Sequence, residues 1–158
     1  MKSGATLFLR AVLVLFGVGA LALLLVEPHL EGRNAHATVF EIYFKDPFLA
    51  YVYVGAVPFF VGLYHAIKLL GFAAQNKEFS PSTLRSVRII KQCAILLIVF
   101  VLGAEVLILS SGDDDPAGGV VIGAFITFAS IVVAAAMAVF ERALRKAVDM
   151  KSENDLTV

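Results

Sequence analysis

Apolar residues fill four long runs of this chain, at about residues 5–26, 47–72, 89–109 and 120–140, and polar residues gather between them. A helix rises about 1.5 Å per residue and needs roughly 20 residues to cross a hydrocarbon core of about 30 Å, so each run is long enough to span a membrane. Glu27 and Pro28 close the first run. The stretch from Pro28 to Asp46 is a polar loop that carries His29 and His36. Its VFEIYF segment suits a short interfacial piece with Phe40, Tyr43 and Phe44 at headgroup level. Pro47 fits a first helical turn, whereas Pro58 lies mid-run, where a lost backbone hydrogen bond predicts a kink or a local cavity. The stretch from His65 to Lys91 holds a basic connector. Within it, Ser80 reads as an N-cap and Pro81 as the first residue of a helix that begins in water and runs into the membrane. An acidic turn, SSGDDDPAGG, joins the last two runs, and ERALRKAVDMK continues the final helix into a polar tail over residues 141–158. The pattern predicts an all-α polytopic membrane protein, one domain of four transmembrane helices in an antiparallel bundle.

Composition supports that reading. Apolar residues make up 59% of the chain, against about 45–50% in a soluble domain. Lys2, Arg10 and the A-x-A form of Ala35-His36-Ala37 have the flavour of a signal peptide. The apolar run is longer than a signal core, and a polar stretch with a proline separates it from that site, so a retained first helix is expected. Cys93 is the lone cysteine, which excludes an intrachain disulfide and a CxxC metal site. The spacing of His29 and His36 matches no standard zinc motif. No P-loop, nucleophile elbow or HExxH occurs, so neither an enzymatic activity nor a cofactor is expected.

Net charge is zero and carries no message about nucleic acid, to which no direct binding is expected, but the placement of charge is informative. Lys2, Arg10, Lys68, Lys77, Arg85, Arg88, Lys91, Arg142, Arg145, Lys146 and Lys151 fall on the side of the termini and the connector. Only Arg33 and Lys45 fall on the other, beside Asp113, Asp114 and Asp115. The positive-inside rule then predicts cytoplasmic N and C termini in a bacterial cytoplasmic (inner) membrane. The basic face would meet anionic headgroups, at about 1 kcal/mol per nearby cation, or a docking protein.

Within the spans, Glu105 is the most costly residue to bury. It is expected to face the bundle interior, with Tyr51 and Tyr53 as candidate donors at similar depth. It reads as a structural carboxyl, an ion or ligand contact, or one station of a proton relay. Helix rise puts it about 15 Å in depth from His65, and the middle of the bilayer lacks the further groups a relay needs. His65, Gln92, Cys93 and Arg10 lie close in depth near the inner end, where a buried polar cluster would hydrogen-bond helices together or let His65 sense pH or a ligand. Small residues at Gly119, Gly123, Thr127, Ala134 and Ala138 suit close packing within the bundle or a homo-oligomer face.

The stretches LYHAIKLL, FSPSTLRSVRIIKQCA and SENDLTV, taken with four spans of this size, resemble the YoaS-like small bacterial membrane proteins, a domain-of-unknown-function family. The resemblance implies a membrane protein that controls or tethers a small helix-turn-helix transcription regulator, and it carries no active-site residues across. The long polar loop with its two histidines matches no pattern of that family. A docking surface for such a partner is expected on Arg85 and Arg88 in the connector and on the closing Asp155, Leu156, Thr157 and Val158, which would add as a strand or enter a carboxylate-binding groove. The expected function is regulatory or sensory. A small transporter or channel subunit, built around Glu105 and Pro58, and a purely structural membrane protein are the alternatives.

Overall fold

A computed structural model describes residues 3–30, 37–110 and 117–155, and these fold into five helices: α1 (Ser3–Leu30), α2 (Val39–Lys45), α3 (Pro47–Ala74), α4 (Pro81–Ser110) and α5 (Ala117–Asp155). All but α2 are long and apolar enough to cross a membrane. Large apolar side chains such as Phe8, Leu15, Val99, Ile122 and Phe125 point outward, the reverse of a soluble bundle.

Local chemistry explains the helix ends. The Asp46 carboxylate accepts from the amides of Phe48 and Leu49 at 2.9 and 3.2 Å, and Pro47 takes the first position of α3. At the other end, the Asn76 amide donates to the Ala73 carbonyl and the Lys77 amide to the Phe72 carbonyl. Asn76 closes this Schellman turn with a φ of 54°, a left-handed conformation that asparagine tolerates better than most residues. Ser80 caps α4 by accepting from the Thr83 amide at 3.2 Å, and the Thr83 hydroxyl donates back to the Lys77 carbonyl at 2.8 Å. The connector is therefore a fixed turn laid over the start of α4.

Two proline sites refine the expectations. The first helix does not stop at Glu27 and Pro28 but runs on to Leu30. A proline within a helix frees the carbonyl four residues earlier, here that of Leu24. The Tyr53 hydroxyl on α3 donates to that carbonyl at 2.9 Å, so the lost bond is replaced from the neighbouring helix. Pro58 is buried and α3 continues through it. One turn earlier, Gly55 lies so close to Phe100 that an added Cβ would come within 3.2 Å of its ring.

The interfacial segment forms α2, opened by a capping box in which the Thr38 hydroxyl accepts from the Glu41 amide and the Glu41 carboxylate accepts from the Thr38 amide. Phe40 and Phe44, one turn apart, stack outward, while Ile42 is buried. The Thr38 amide, above all, holds the Glu41 carboxyl below its ordinary pKa, helped by the Thr38 hydroxyl and Lys45.

The spanning helices pack antiparallel, and their extensive contacts follow chain order: α1 on α3, α3 on α4, α4 on α5. Helix α1 is joined to the rest through α3. The deepest core, Thr83, Ser86, Val87, Ile90, Cys93 and Ala94, occupies the connector half of α4, between its two partners.

Candidate functional site

The most concentrated polar chemistry lies where α4 and α5 leave their apolar stretches at the connector end. On α4, Arg88 and Lys91 stand three residues apart, and on α5, Glu141 and Arg145 stand four apart, so each pair shares a helix face. Antiparallel packing brings the faces together. The register is set further along, where Gly119 meets Ile108 and Gly123 meets Glu105. The Glu141 carboxylate accepts from Arg88 Nε at 3.0 Å and from Lys91 Nζ at 2.5 Å, and Arg145 Nη2 stands 3.5 Å away. Only 7% of Glu141 is exposed. Paired twice, it escapes the penalty of an isolated buried charge, and it ties the helices together with charge-assisted bonds. Lys91, Ala138, Glu141, Arg142 and Arg145 line an open cleft of about 280 Å³ beside this knot.

The residues singled out from sequence are placed as follows. Glu105 is half-buried, with its carboxylate against the backbone of Gly123. Neither expected tyrosine donor serves it: Tyr51 donates to the Phe100 carbonyl at 3.0 Å, over the bare backbone of Gly103, and Tyr53 to the Leu24 carbonyl. Each hydroxyl has one proton to give, and both are committed to carbonyls. The expected polar cluster does not assemble. His65 Nδ1 lies 3.4 Å from the Ser86 hydroxyl, Gln92 is exposed on the outside of α4, and Cys93 is buried against Gly62. Arg10 drapes its guanidinium over Gly71 on α3, and its Nε is buried without a partner among the described residues. Arg85 is exposed, but Arg88 is committed to Glu141. Asp155 ends α5 as helix, so an extended tail starts no earlier than Leu156; Leu156, Thr157 and Val158 lie outside the described residues.

Sequence reasoning overlooked Glu141 as a site residue. The signal was present: one acid directly after an apolar run, facing two cations at the mirror position of the preceding run. Counting those cations toward membrane orientation, and Arg88 toward partner docking, hid the pairing. Among the described residues, no group of three or more His, Cys, Asp or Glu side chains comes together to hold a metal ion.

Four apolar spanning helices, lipid-facing side chains and a charged knot at one rim define a small multi-spanning α-helical membrane protein. The chain belongs to the family described as "Protein of unknown function (DUF2975)", whose model matches residues 33–158. It is also similar along its whole length to the "Uncharacterized membrane protein YoaS" of Bacillus subtilis (strain 168), with 41% identity over 160 residues covering 100% of both chains. No solved structure matches it.

Proposed function

We propose that the chain is a non-enzymatic regulatory or sensory protein of the bacterial cytoplasmic membrane, with both termini and the connector in the cytoplasm, and that it acts through a soluble partner there. A small helix-turn-helix regulator is the candidate partner. The orientation rests on the surplus of Lys and Arg at the connector end. One observation carries the rest: α4 and α5 continue as helices past the ring of Lys91 and Glu141, α5 as far as Asp155. At 39 residues, α5 is about 58 Å long, nearly twice the hydrocarbon thickness, so a polar two-helix projection stands clear of the bilayer. Leu144 is buried within it, and Arg85, Arg142 and Lys146 are exposed on it. A paired, fixed projection of this kind suits the docking of a soluble protein, since little order is lost on binding.

The test is to purify the full-length protein from its host in mild detergent, beside an Arg85→Ala form and a form lacking residues 154–158. A small DNA-binding protein should accompany the intact chain and be depleted in at least one variant. Recovery of no soluble protein with any form would sink this reading.

A transporter or channel subunit is the second reading, favoured by Glu105, whose carboxylate has no hydrogen bond or ion pair among the described residues. It predicts a defined oligomer and a Glu105 reachable from water; Glu105→Gln with unchanged flux and stability would remove its support.

A further inference from the structure

We propose that the cleft between α4 and α5 beside Glu141 binds a phosphate group, presented by an anionic phospholipid headgroup or as free phosphate. Charge makes the first argument. Lys91, Arg142 and Arg145 line the cleft with Glu141, and Arg88 reaches the same carboxylate from the side, so three cations share one acid and Arg142 adds a fourth charge beside them, unpaired among the described residues. Donor capacity makes the second. A lysine ammonium has three N–H donors and a guanidinium five. Lys91, Arg88 and Arg145 each spend contacts on Glu141 alone, and Arg142 has no acceptor among the described residues. Of these, Lys91, Arg142 and Arg145 line a space of about 280 Å³, roomy enough for a phosphate and the first atoms of its ester.

Glu141 does not neutralise the site. Buried in the cleft wall and paired with Arg88 and Lys91 of α4, it acts as the positioning residue that holds cations of both helices beside the cleft. The remaining donors are left for an outside anion, and arginine forks suit phosphate oxygens in pairs.

Location favours the lipid source. From Lys91 to Glu105 on α4, and from Ala117 to Glu141 on α5, no charged residue intervenes, so the cleft sits at the rim of the apolar span. Above it, Ala138 lines the wall, the small residues Ala134 and Ala135 follow one turn further into the membrane on α5, and Ile95 is exposed on α4. A diacyl lipid whose phosphate rests on Arg142 and Arg145 would lay an acyl chain along these small and apolar side chains. A basic pocket between helices at this depth is a known form of headgroup site.

The test uses the full-length protein in mild detergent, with native mass spectrometry and thermal unfolding as readouts. The probes are a short-chain phosphatidylglycerol, phosphatidylcholine of equal chain length, and inorganic phosphate. One phosphatidylglycerol should be retained per chain in preference to phosphatidylcholine. Arg142→Gln with Arg145→Gln should weaken it by tenfold or more, since each nearby cation contributes about fivefold. Lys68→Gln, which removes an exposed charge on α3 at the same end, should change binding little. Should the double variant fail to fold, Arg142→Gln alone, at an exposed position, reads the same effect at about fivefold. Inorganic phosphate that binds as tightly, with the same dependence on Arg142 and Arg145, supports the site and makes its source soluble. Equal retention of both lipids, or a loss as large in Lys68→Gln as in the double variant, overturns the proposal.

Discussion

The seam between α4 and α5 and the seam between α1 and α3 use similar materials and are held differently. Both have glycines where a side chain of the partner comes close: Gly119 and Gly123 against Ile108 and Glu105 in one, Gly17 and Gly71 against Leu63 and Arg10 in the other. The α4–α5 seam ends in the Glu141 knot with Arg88, Lys91 and Arg145. The α1–α3 seam has a Phe16–Phe59 edge contact, one hydroxyl donated to one carbonyl, and a guanidinium whose Nε has no partner among the described residues. Within lipid there is no hydrophobic force between helices, so packing and polar links decide how firmly each is held. On that basis α5 is locked to α4, and α1 is the helix most free to shift. The family match begins at residue 33, after α1, while the similarity to the Bacillus subtilis protein includes it.

The largest test of that contrast is Glu141→Gln. Removing the acid leaves two or three cations facing each other in a half-buried seam, and breaking a buried pair from one side costs about 3 kcal/mol or more. Detergent-resistant folding should fall by that amount, read from an unfolding titration. Next is Gly123→Leu, which drives a side chain into the Glu105 carboxylate and should cost about 1–3 kcal/mol by overpacking. Tyr53→Phe should cost only about 0.6–1 kcal/mol, one interhelical hydrogen bond in a membrane protein, and should show as faster amide exchange near Leu24. A Tyr53→Phe loss equal to that of Glu141→Gln would erase the distinction between the seams. The smallest effect lies outside both, at α2. The Glu41 carboxyl is held below its ordinary pKa by the Thr38 amide, so its cap is fully present above the unfolded value near 4 and is lost as pH falls through the lower folded value. Amide protection in Val39–Lys45, taken relative to the intrinsic exchange rate at each pH, should fall in that acid range and hold steady between pH 5 and 7. Glu41→Gln should remove the pH dependence, whereas Thr38→Ala, which keeps the amide, should only reduce it.

Much of the fold was legible along the chain because each signal was local. Run length marked the four spans, Pro47 and Ser80 with Pro81 marked two helix starts, and the alternation of basic and acidic loops marked two unlike ends. Misreadings arose where the answer lay on another helix. Pro28 looked like a stop because a sequence cannot show that Tyr53 stands ready to take the carbonyl of Leu24. Tyr51 and Tyr53 matched Glu105 in depth, but depth does not specify which way a side chain turns, and both tyrosines face backbone carbonyls. Gln92 shares a level with His65 and points away from it, and Ser86, unremarked in the sequence, is the neighbour that His65 meets.

The sequence by itself determined that this is a four-span helical membrane protein, where two of its helices begin, and that its charge is concentrated at one end, because hydropathy, capping and loop charge act over a few residues or through the bilayer as a whole. Only the tertiary structure decided that Glu141 meets Arg88 and Lys91, that α1 hangs on α3 alone among the extensive packings, and that three cations line one cleft. Those outcomes depend on the rotation of each helix about its own axis. Side chains and backbones of neighbouring helices set that rotation together, and no single segment contains it.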